Sequence, residues 1–250
     1  MSETIRMIAL DMDGTLLTND GKISEANKKA IRSAQAAGIF VTLATGRNMH
    51  EIKPYAEQLH LEGPFISING SVLWRNMTET WKCYTLDAKW VERMRELANQ
   101  YEARYWGHST IGGFRNHDFI EDIDSVEWFK FGFDIENAID RAKILQTLKK
   151  WDAFEISNSS PTNIEVNPKR VHKAFGLRHV CELLQLPMRQ VLAIGDSLND
   201  LQMIKSAGIG VAMGNAQEAV KKAADHITET NENDGVATAI EKFVLIHHPR

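Results

Sequence analysis

Cysteine is scarce in this chain. Cys83 and Cys181 are the only two in 250 residues, and no Cys-x-x-Cys pair occurs. That excludes a disulfide framework and a cysteine zinc site. Long hydrophobic runs are also missing, since nothing approaches the roughly 20 apolar residues of a membrane span. The stretch Ile5–Leu10 is too short for a signal-peptide core, and Asp11 follows it at once. Neither sign of charge dominates: 29 Lys and Arg against 33 Asp and Glu give a net charge of -4, with no basic block. This argues against a nucleic-acid partner. There is no internal repeat and no low-complexity segment. The expectation is a cytoplasmic protein with no membrane segment. Its composition, 43% hydrophobic and 25% charged, is that of an ordinary globular chain long enough for one large domain or two smaller ones.

Aromatic residues are unevenly spread. All six tryptophans (Trp74, Trp81, Trp90, Trp106, Trp128 and Trp151) fall between residues 74 and 151. The flanking segments read instead as Val/Ile/Ala/Gly-rich strands alternating with amphipathic helices. Ile5–Leu10 is a strand buried on both faces. Ser24 caps a helix running to Ala37, and Gly38 ends it. Ile39–Ala44 is a second buried strand, followed by a helix to about His60 in which Pro54 implies a kink or a late start. Phe65–Ile68 is a third strand. After Asn167-Pro168 the same rhythm returns: a helix near 170–184, a strand Val191–Ile194, a helix 200–206 and a strand Ile209–Ala212. Alternation of this kind predicts βαβ units and a parallel sheet.

The insert differs. Asp87 caps a helix carrying Trp90, Val91, Met94, Leu97 and Ala98 at helical spacing. Trp128–Ile135 alternates like a strand, a helix follows over about 136–150, and Phe154–Ile156 and Ile164–Val166 form two further alternating runs. That pattern is α+β with an antiparallel sheet. The expected organisation is a doubly wound α/β core from residues 1–83 and 167–250, interrupted by an α+β cap at 84–166. The aromatic stripe of the insert is expected to be the cap's own core.

Polar groups gather at the ends of the predicted strands: Asp11 and Asp13, Thr45, Asn69, and Asp196, Asn199 and Asp200. In an open parallel sheet the C-terminal ends of strands share one rim, and ligands bind where strand order reverses. Asp11-Met12-Asp13-Gly14-Thr15 puts two carboxylates two residues apart behind a strand. This suits a phosphoryl transfer in which one Asp attacks phosphorus and the other handles protons. Alone the pentapeptide is compatible with an acidic strand-to-turn connection; a second acidic rim at Gly195–Asp200 weighs against that. Carboxylates from two strands plus a carbonyl make a hard oxygen site suited to Mg²⁺. Thr45 and Lys173 supply a hydroxyl and an ammonium for phosphate oxygens. Gly208, Gly210 and Gly214 have the spacing GxGxxxG, which does not fit a dinucleotide loop. His108 and His117 read as surface or satisfied residues rather than metal ligands.

Five motifs in this order resemble the haloacid dehalogenase superfamily, specifically its Cof-like subclass IIB with a C2-type cap. They are Asp-Met-Asp-Gly-Thr-Leu at 11–16, Ala-Thr-Gly-Arg at 44–47, Ile-Asn-Gly at 68–70, Lys173 ahead of Gly176-Leu177, and Gly-Asp-Ser-Leu-Asn-Asp at 195–200. The resemblance implies a Mg²⁺-dependent phosphomonoester hydrolase acting on small phosphorylated metabolites, such as sugar phosphates or phosphorylated cofactors, through an aspartyl-phosphate. It makes Asp11 the nucleophile and Asp13 the acid–base that also lends its carbonyl to the metal. Met12, Thr45, Gly46, Lys173 and Asn199 would contact the phosphate. Asp196 would complete the metal site, with Ser197 and Asp200 positioning it. In this chain His172 precedes the lysine and Ala174-Phe175 follow, so Lys169 stays a rival for the role of Lys173. A phosphomutase of the same superfamily and a non-catalytic phosphate sensor on the same fold are the alternative readings. The physiological substrate, the cap residues that choose it and the oligomeric state stay open.

Overall fold

Strand β1 (Met7–Leu10) is buried along its whole length and is an interior strand of a parallel sheet. The computed structural model describes residues 4–247. After β1 come α1 (Glu25–Ala36), β2 (Phe40–Leu43), α2 (Met49–Gln58), β3 (Phe65–Ser67), β4 (Val72–Trp74) and β5 (Thr80–Cys83). The middle of the chain forms α3 (Ala88–Gln100), β6 (Arg104–Ser109), β7 (Gly112–Arg115), β8 (Trp128–Asp134), α4 (Ala138–Trp151), β9 (Phe154–Ser157) and β10 (Asn163–Pro168). The last part forms α5 (Lys173–Leu183), β11 (Val191–Gly195), α6 (Leu201–Ser206), β12 (Ile209–Ala212), α7 (Glu218–Lys221), β13 (His226–Ile227) and α8 (Gly235–Phe243).

The core sheet has the order β13-β12-β11-β1-β2, with every pairing parallel. Its side chains alternate between two apolar layers. Ile8, Leu10, Leu192 and Ile194 face a cluster that includes Ala30, Ile31, Ile52 and Ile240 from α1, α2 and α8. Met7, Ala9, Val191 and Ala193 face Ala174, Leu177, Val180 and Met203 from α5 and α6. A strand covered on both faces must be apolar at every position, which is why these segments read as unbroken hydrophobic runs. The chain moves from β1 to β2 on one side and returns through β11 on the other, so strand order reverses between β1 and β11.

Several local expectations are met. Ser24 accepts the Asn27 amide at the head of α1, and Asp87 accepts the Lys89 amide at the head of α3. Others are corrected. Helix α2 starts at Met49 behind an Asn48–Glu51 capping box and continues through Pro54, so the proline does not delay it. The third strand meets β2 only through one parallel bridge, Ala44 to Ile66, and otherwise pairs antiparallel in a three-stranded sheet β3-β4-β5. Helix α5 begins at Lys173 rather than near Arg170, because Arg170 has φ of 67° and His172 is the cap.

The second layer is an antiparallel sheet of order β7-β6-β8-β10-β9. One face buries Tyr105, Phe131, Phe133, Ile164 and Val166 against Val91, Met94, Ile144 and Leu148 from α3 and α4. The other face turns Trp106, Lys130 and Glu165 toward the end of the core sheet.

Candidate active site

Asp11 follows β1 directly, and its amide donates to the Ile194 carbonyl of β11 at 3.0 Å. This ties the ends of these two interior strands together. The Asp11 side chain is 4% exposed and accepts from the Lys173 ammonium. Lys173, fully buried at the head of α5, also donates to Asp200 Oδ1 at 2.7 Å. The other oxygen of Asp200 accepts the amides of Asp196 and Ser197, both at 3.0 Å. Asp200 is thereby fully engaged, and it fixes the loop that holds Asp196. Asp196 in turn accepts from Thr15 Oγ1 at 3.2 Å and from Ser197 Oγ at 2.8 Å.

Gly14 is the residue that lets this loop close. Its φ is +75°, and a Cβ there would stand 2.7 Å from Asp196 Oδ2. Oxygens of Asp11, Asp196 and Asp200 lie within 4.8 Å of one another. Burial, and then Asp200, pushes the Asp11 carboxyl well above the ordinary carboxylate range. The same two causes push Asp196 up to about 6. Burial works against the Lys173 ammonium, but Asp11 and Asp200 outweigh it and keep its pKa raised. Three carboxylates therefore share one ammonium, and the surplus negative charge with hard oxygen donors fits a divalent cation such as Mg²⁺. Asn199 Oδ1 is buried beside this cluster without a hydrogen-bond partner.

Asp13 points elsewhere. Its carboxylate is half-exposed and gripped by the Arg47 fork, with Nε to Oδ2 at 2.8 Å and Nη2 to Oδ1 at 2.6 Å. The guanidinium also lies 5.4 Å from the centre of the Tyr55 ring. Only the backbone of Asp13 is thus free of this pairing. Thr45, buried at the end of β2, accepts the Arg47 amide on Oγ1 at 3.2 Å, and its carbonyl accepts the Asn69 amide at 2.9 Å. Asn199 Nδ2 donates to Asn69 Oδ1 at 3.3 Å. The carbonyl of Met12 accepts the Thr15 and Leu17 amides and shapes the turn behind Asp11. Lys169, the rival lysine, donates instead to Asp152 at 2.9 Å on an exposed surface. Lys173 is the one that reaches Asp11.

Sequence reasoning missed the groups that face this rim from the second layer. Lys130 and Glu165 are both buried and pair at 3.3 Å. Lys130 Nζ also donates to the Gly46 carbonyl at 3.1 Å and lies 4.8 Å from the Trp106 ring centre. Glu165 accepts from Asn69 Nδ2 at 2.7 Å and Ser159 Oγ at 3.0 Å. Burial depresses the Lys130 pKa. It would raise that of Glu165, but Lys130 and Asn69 hold that carboxyl below its ordinary range. Lys130 and Glu165 sit at the polar positions of alternating apolar strands, a pattern that reads as a solvent-facing side and conceals their burial. Together the two layers enclose a cavity of about 960 Å³ lined by Asp11, Asp13, Arg47, Trp106, Lys130 and Asp196, among others.

Carboxylates at the reversal point of a doubly wound sheet, under an inserted antiparallel sheet, define a class of capped hydrolases. The model of the haloacid dehalogenase-like hydrolase family matches residues 8–126 and 113–240, and the chain belongs to that family. It is 46% identical to the 5-amino-6-(5-phospho-D-ribitylamino)uracil phosphatase YcsE of Bacillus subtilis, over 96% of both chains. It is 29% identical to a second B. subtilis phosphatase described for the same compound, YitU, covering 95% of this chain and 97% of that one. The solved structure of the subclass IIB sugar phosphatase BT4131 superposes with a TM-score of 0.84 at 22% identity, over 95% of this chain and 98% of that one. The protein is a phosphatase of this family. Among the described residues no helix is long and apolar enough to cross a membrane.

Proposed function

We propose that this phosphatase hydrolyses a small phosphomonoester with Mg²⁺ through an aspartyl-phosphate, and that its substrate is 5-amino-6-(5-phospho-D-ribitylamino)uracil. The observation that carries the chemistry is the buried Lys173 ammonium bridging Asp11 and Asp200 beside Asp196. The substrate comes from the two relatives described for it. In this reading residues 84–166 form the cap over a core made of residues 1–83 and 167–250.

Asp11 attacks phosphorus in line, and Lys173 holds the carboxylate and the phosphate oxygens as charge builds on them. Thr45 Oγ1, the amides of Met12 and Gly46, and Asn199 Nδ2 complete the phosphate cradle. Asp13 first protonates the leaving oxygen, then takes a proton from the water that opens the aspartyl-phosphate. For this it must leave the Arg47 fork, which holds it ready at the cleft edge. Asp11, the Asp13 carbonyl and Asp196 would hold Mg²⁺, with Ser197 and Asp200 fixing Asp196. The ion supplies charge that offsets repulsion between the Asp11 carboxylate and an anionic phosphoryl group. The cap excludes bulk water from the cleft.

The test is phosphate release from a panel holding this compound, sugar phosphates and nucleotides, with Mg²⁺ and with chelator. The expected result is metal-dependent release that Asp11→Asn abolishes. Release that persists in Asp11→Asn, or that ignores chelator, refutes the mechanism. A ranking that places sugar phosphates first refutes the substrate.

A further inference from the structure

The cleft face of the cap sheet carries a large aromatic ring that the cap itself leaves uncovered. Trp106 on β6 stands opposite Gly132 on β8, where a Cβ would come within 2.2 Å of the indole Cε2. The indole therefore lies against the bare backbone of β8. The same device recurs on the opposite face, where Gly107 makes room for Trp128 (2.7 Å to Cζ3). There the outcome differs. Trp128 is fully buried, stacked on Phe119 at 5.0 Å, and donates its Nε1 proton to the Ile123 carbonyl at 2.9 Å. Trp106 has no such cover: it is half-buried and lines the cavity, touched by the Lys130 ammonium and by the edge of His108 at 5.6 Å. Burying an aromatic ring is strongly favourable, so a seated but uncovered one is a ready surface for a ligand.

Its position fits a ligand held at one end by phosphate. Lys130 Nζ lies 3.1 Å from the Gly46 carbonyl and 4.8 Å from the indole centre, so the indole is within about 8 Å of the phosphate cradle. Three charged side chains line the cavity beside the indole on the same face: Arg104 on β6, Arg115 on β7 opposite Trp106, and Asp134 on β8 opposite Arg104, whose carboxyl pKa burial raises. We propose that Trp106, seated on Gly132, is the platform on which the planar ring of the leaving group stacks, with Asp134, Arg104 and Arg115 available to its polar edge. The ligand class is a hydrogen-bonding heterocycle joined to the phosphate by a short polyol. This rests on the phosphatase reading above and adds to it the residues that select the substrate.

The decisive comparison uses two substrates that share a tether and differ in the ring: 5-amino-6-(5-phospho-D-ribitylamino)uracil and D-ribitol 5-phosphate. Wild type should prefer the first. Trp106→Ala should cut kcat/KM for the ring substrate about 10- to 100-fold, chiefly through KM. It should cost the ringless one far less, so that the preference collapses. Trp106→Phe, which keeps a stacking face, should restore most of it. Equal losses on both substrates, or no loss on the first, overturn the proposal and leave the phosphatase reading standing. If wild type is inert on both, that reading fails, and the platform is judged by binding alone. The dephosphorylated compound, 5-amino-6-(D-ribitylamino)uracil, should quench wild-type tryptophan fluorescence and not that of Trp106→Ala. No quenching of wild type overturns it.

Discussion

Replacing Lys130 with Met should destabilise the cap sharply, and removing its partner as well should undo most of the damage. Lys130 and Glu165 are 2% and 4% exposed, so the lone Glu165 left by Lys130→Met is a buried charge without its counterion. Such a change costs about 3–5 kcal/mol. Glu165 keeps two neutral donors, Asn69 at 2.7 Å and Ser159 at 3.0 Å, which puts the expected cost near the lower end, about 3 kcal/mol. In Lys130→Met/Glu165→Gln no charge is stranded, and Gln still accepts from Asn69, so the expected cost falls to about 1 kcal/mol. Urea unfolding followed by tryptophan emission is the assay, since all six tryptophans lie between residues 74 and 151 and report on this part of the chain. The pH dependence supplies a sign. In wild type Glu165 is held low; without Lys130 burial raises it above its unfolded value. The unfolded chain then binds fewer protons, and the variant loses stability as pH rises through that window. Lys130→Met should therefore be closest to wild type at acid pH. A cost below about 1 kcal/mol, or a double variant no better than the single, refutes the reasoning.

Three further outcomes follow from the same geometry. Arg47→Lys keeps a charge but cannot grip both oxygens of Asp13, so kcat should fall about tenfold while Mg²⁺ affinity is unchanged; steady-state rates over a Mg²⁺ titration check this. Asp196→Asn removes a carboxylate from the acidic cluster, so the rise in melting temperature on adding Mg²⁺ should need at least about tenfold more metal. His172 caps α5 by accepting the Phe175 amide on Nδ1, and burial, then Arg178, lowers its pKa to about 4. Because the folded value is depressed, stability is lost as pH falls from about 6.5 toward 4. His172→Asn, which caps without titrating, should shift the acid-unfolding midpoint to lower pH.

Much of the core was legible because strands buried on both faces have nowhere to place a polar residue. Met7–Leu10 and Val191–Gly195 announce themselves as apolar runs, and the carboxylates that follow them mark the rim. The cap was legible only on its buried face. Strand β6 reads Arg-Tyr-Trp-Gly-His-Ser, with polar and aromatic residues aimed at the cleft masking the alternation, and no strand was expected there. Strand β7, with two glycines, gave no signal either. The hairpin of β4 and β5 hid behind Asn69 and Gly70, whose positive φ values of 57° and 97° turn the chain sharply after a three-residue strand. Helix α8 begins at Gly235, which reads as a terminator rather than a start. At the site, Asp11, Lys173 and Asp196 could be assembled from motif order. The grip of Arg47 on Asp13, and of Lys130 on Gly46, depends on tertiary approach and has no local trace.

The interior position of β1, between β11 and β2, also governs how the molecule can be made. Synthesis delivers β1 well before one of its two neighbours, β11, which is contributed by residues 191–195. Until those emerge, one edge of the strand that carries Asp11 has unpaired amides and carbonyls, and Ile8 and Leu10 lack their final packing. The intervening cap, whose apolar core and sheet pairings fall within residues 86–168, is free to form first. The nascent chain thus carries a folded insert on an open sheet before it has Lys173, Asp196 or Asp200. The acidic cluster is complete only once the sheet is, and the interval before that is when the chain is most exposed to edge-to-edge aggregation.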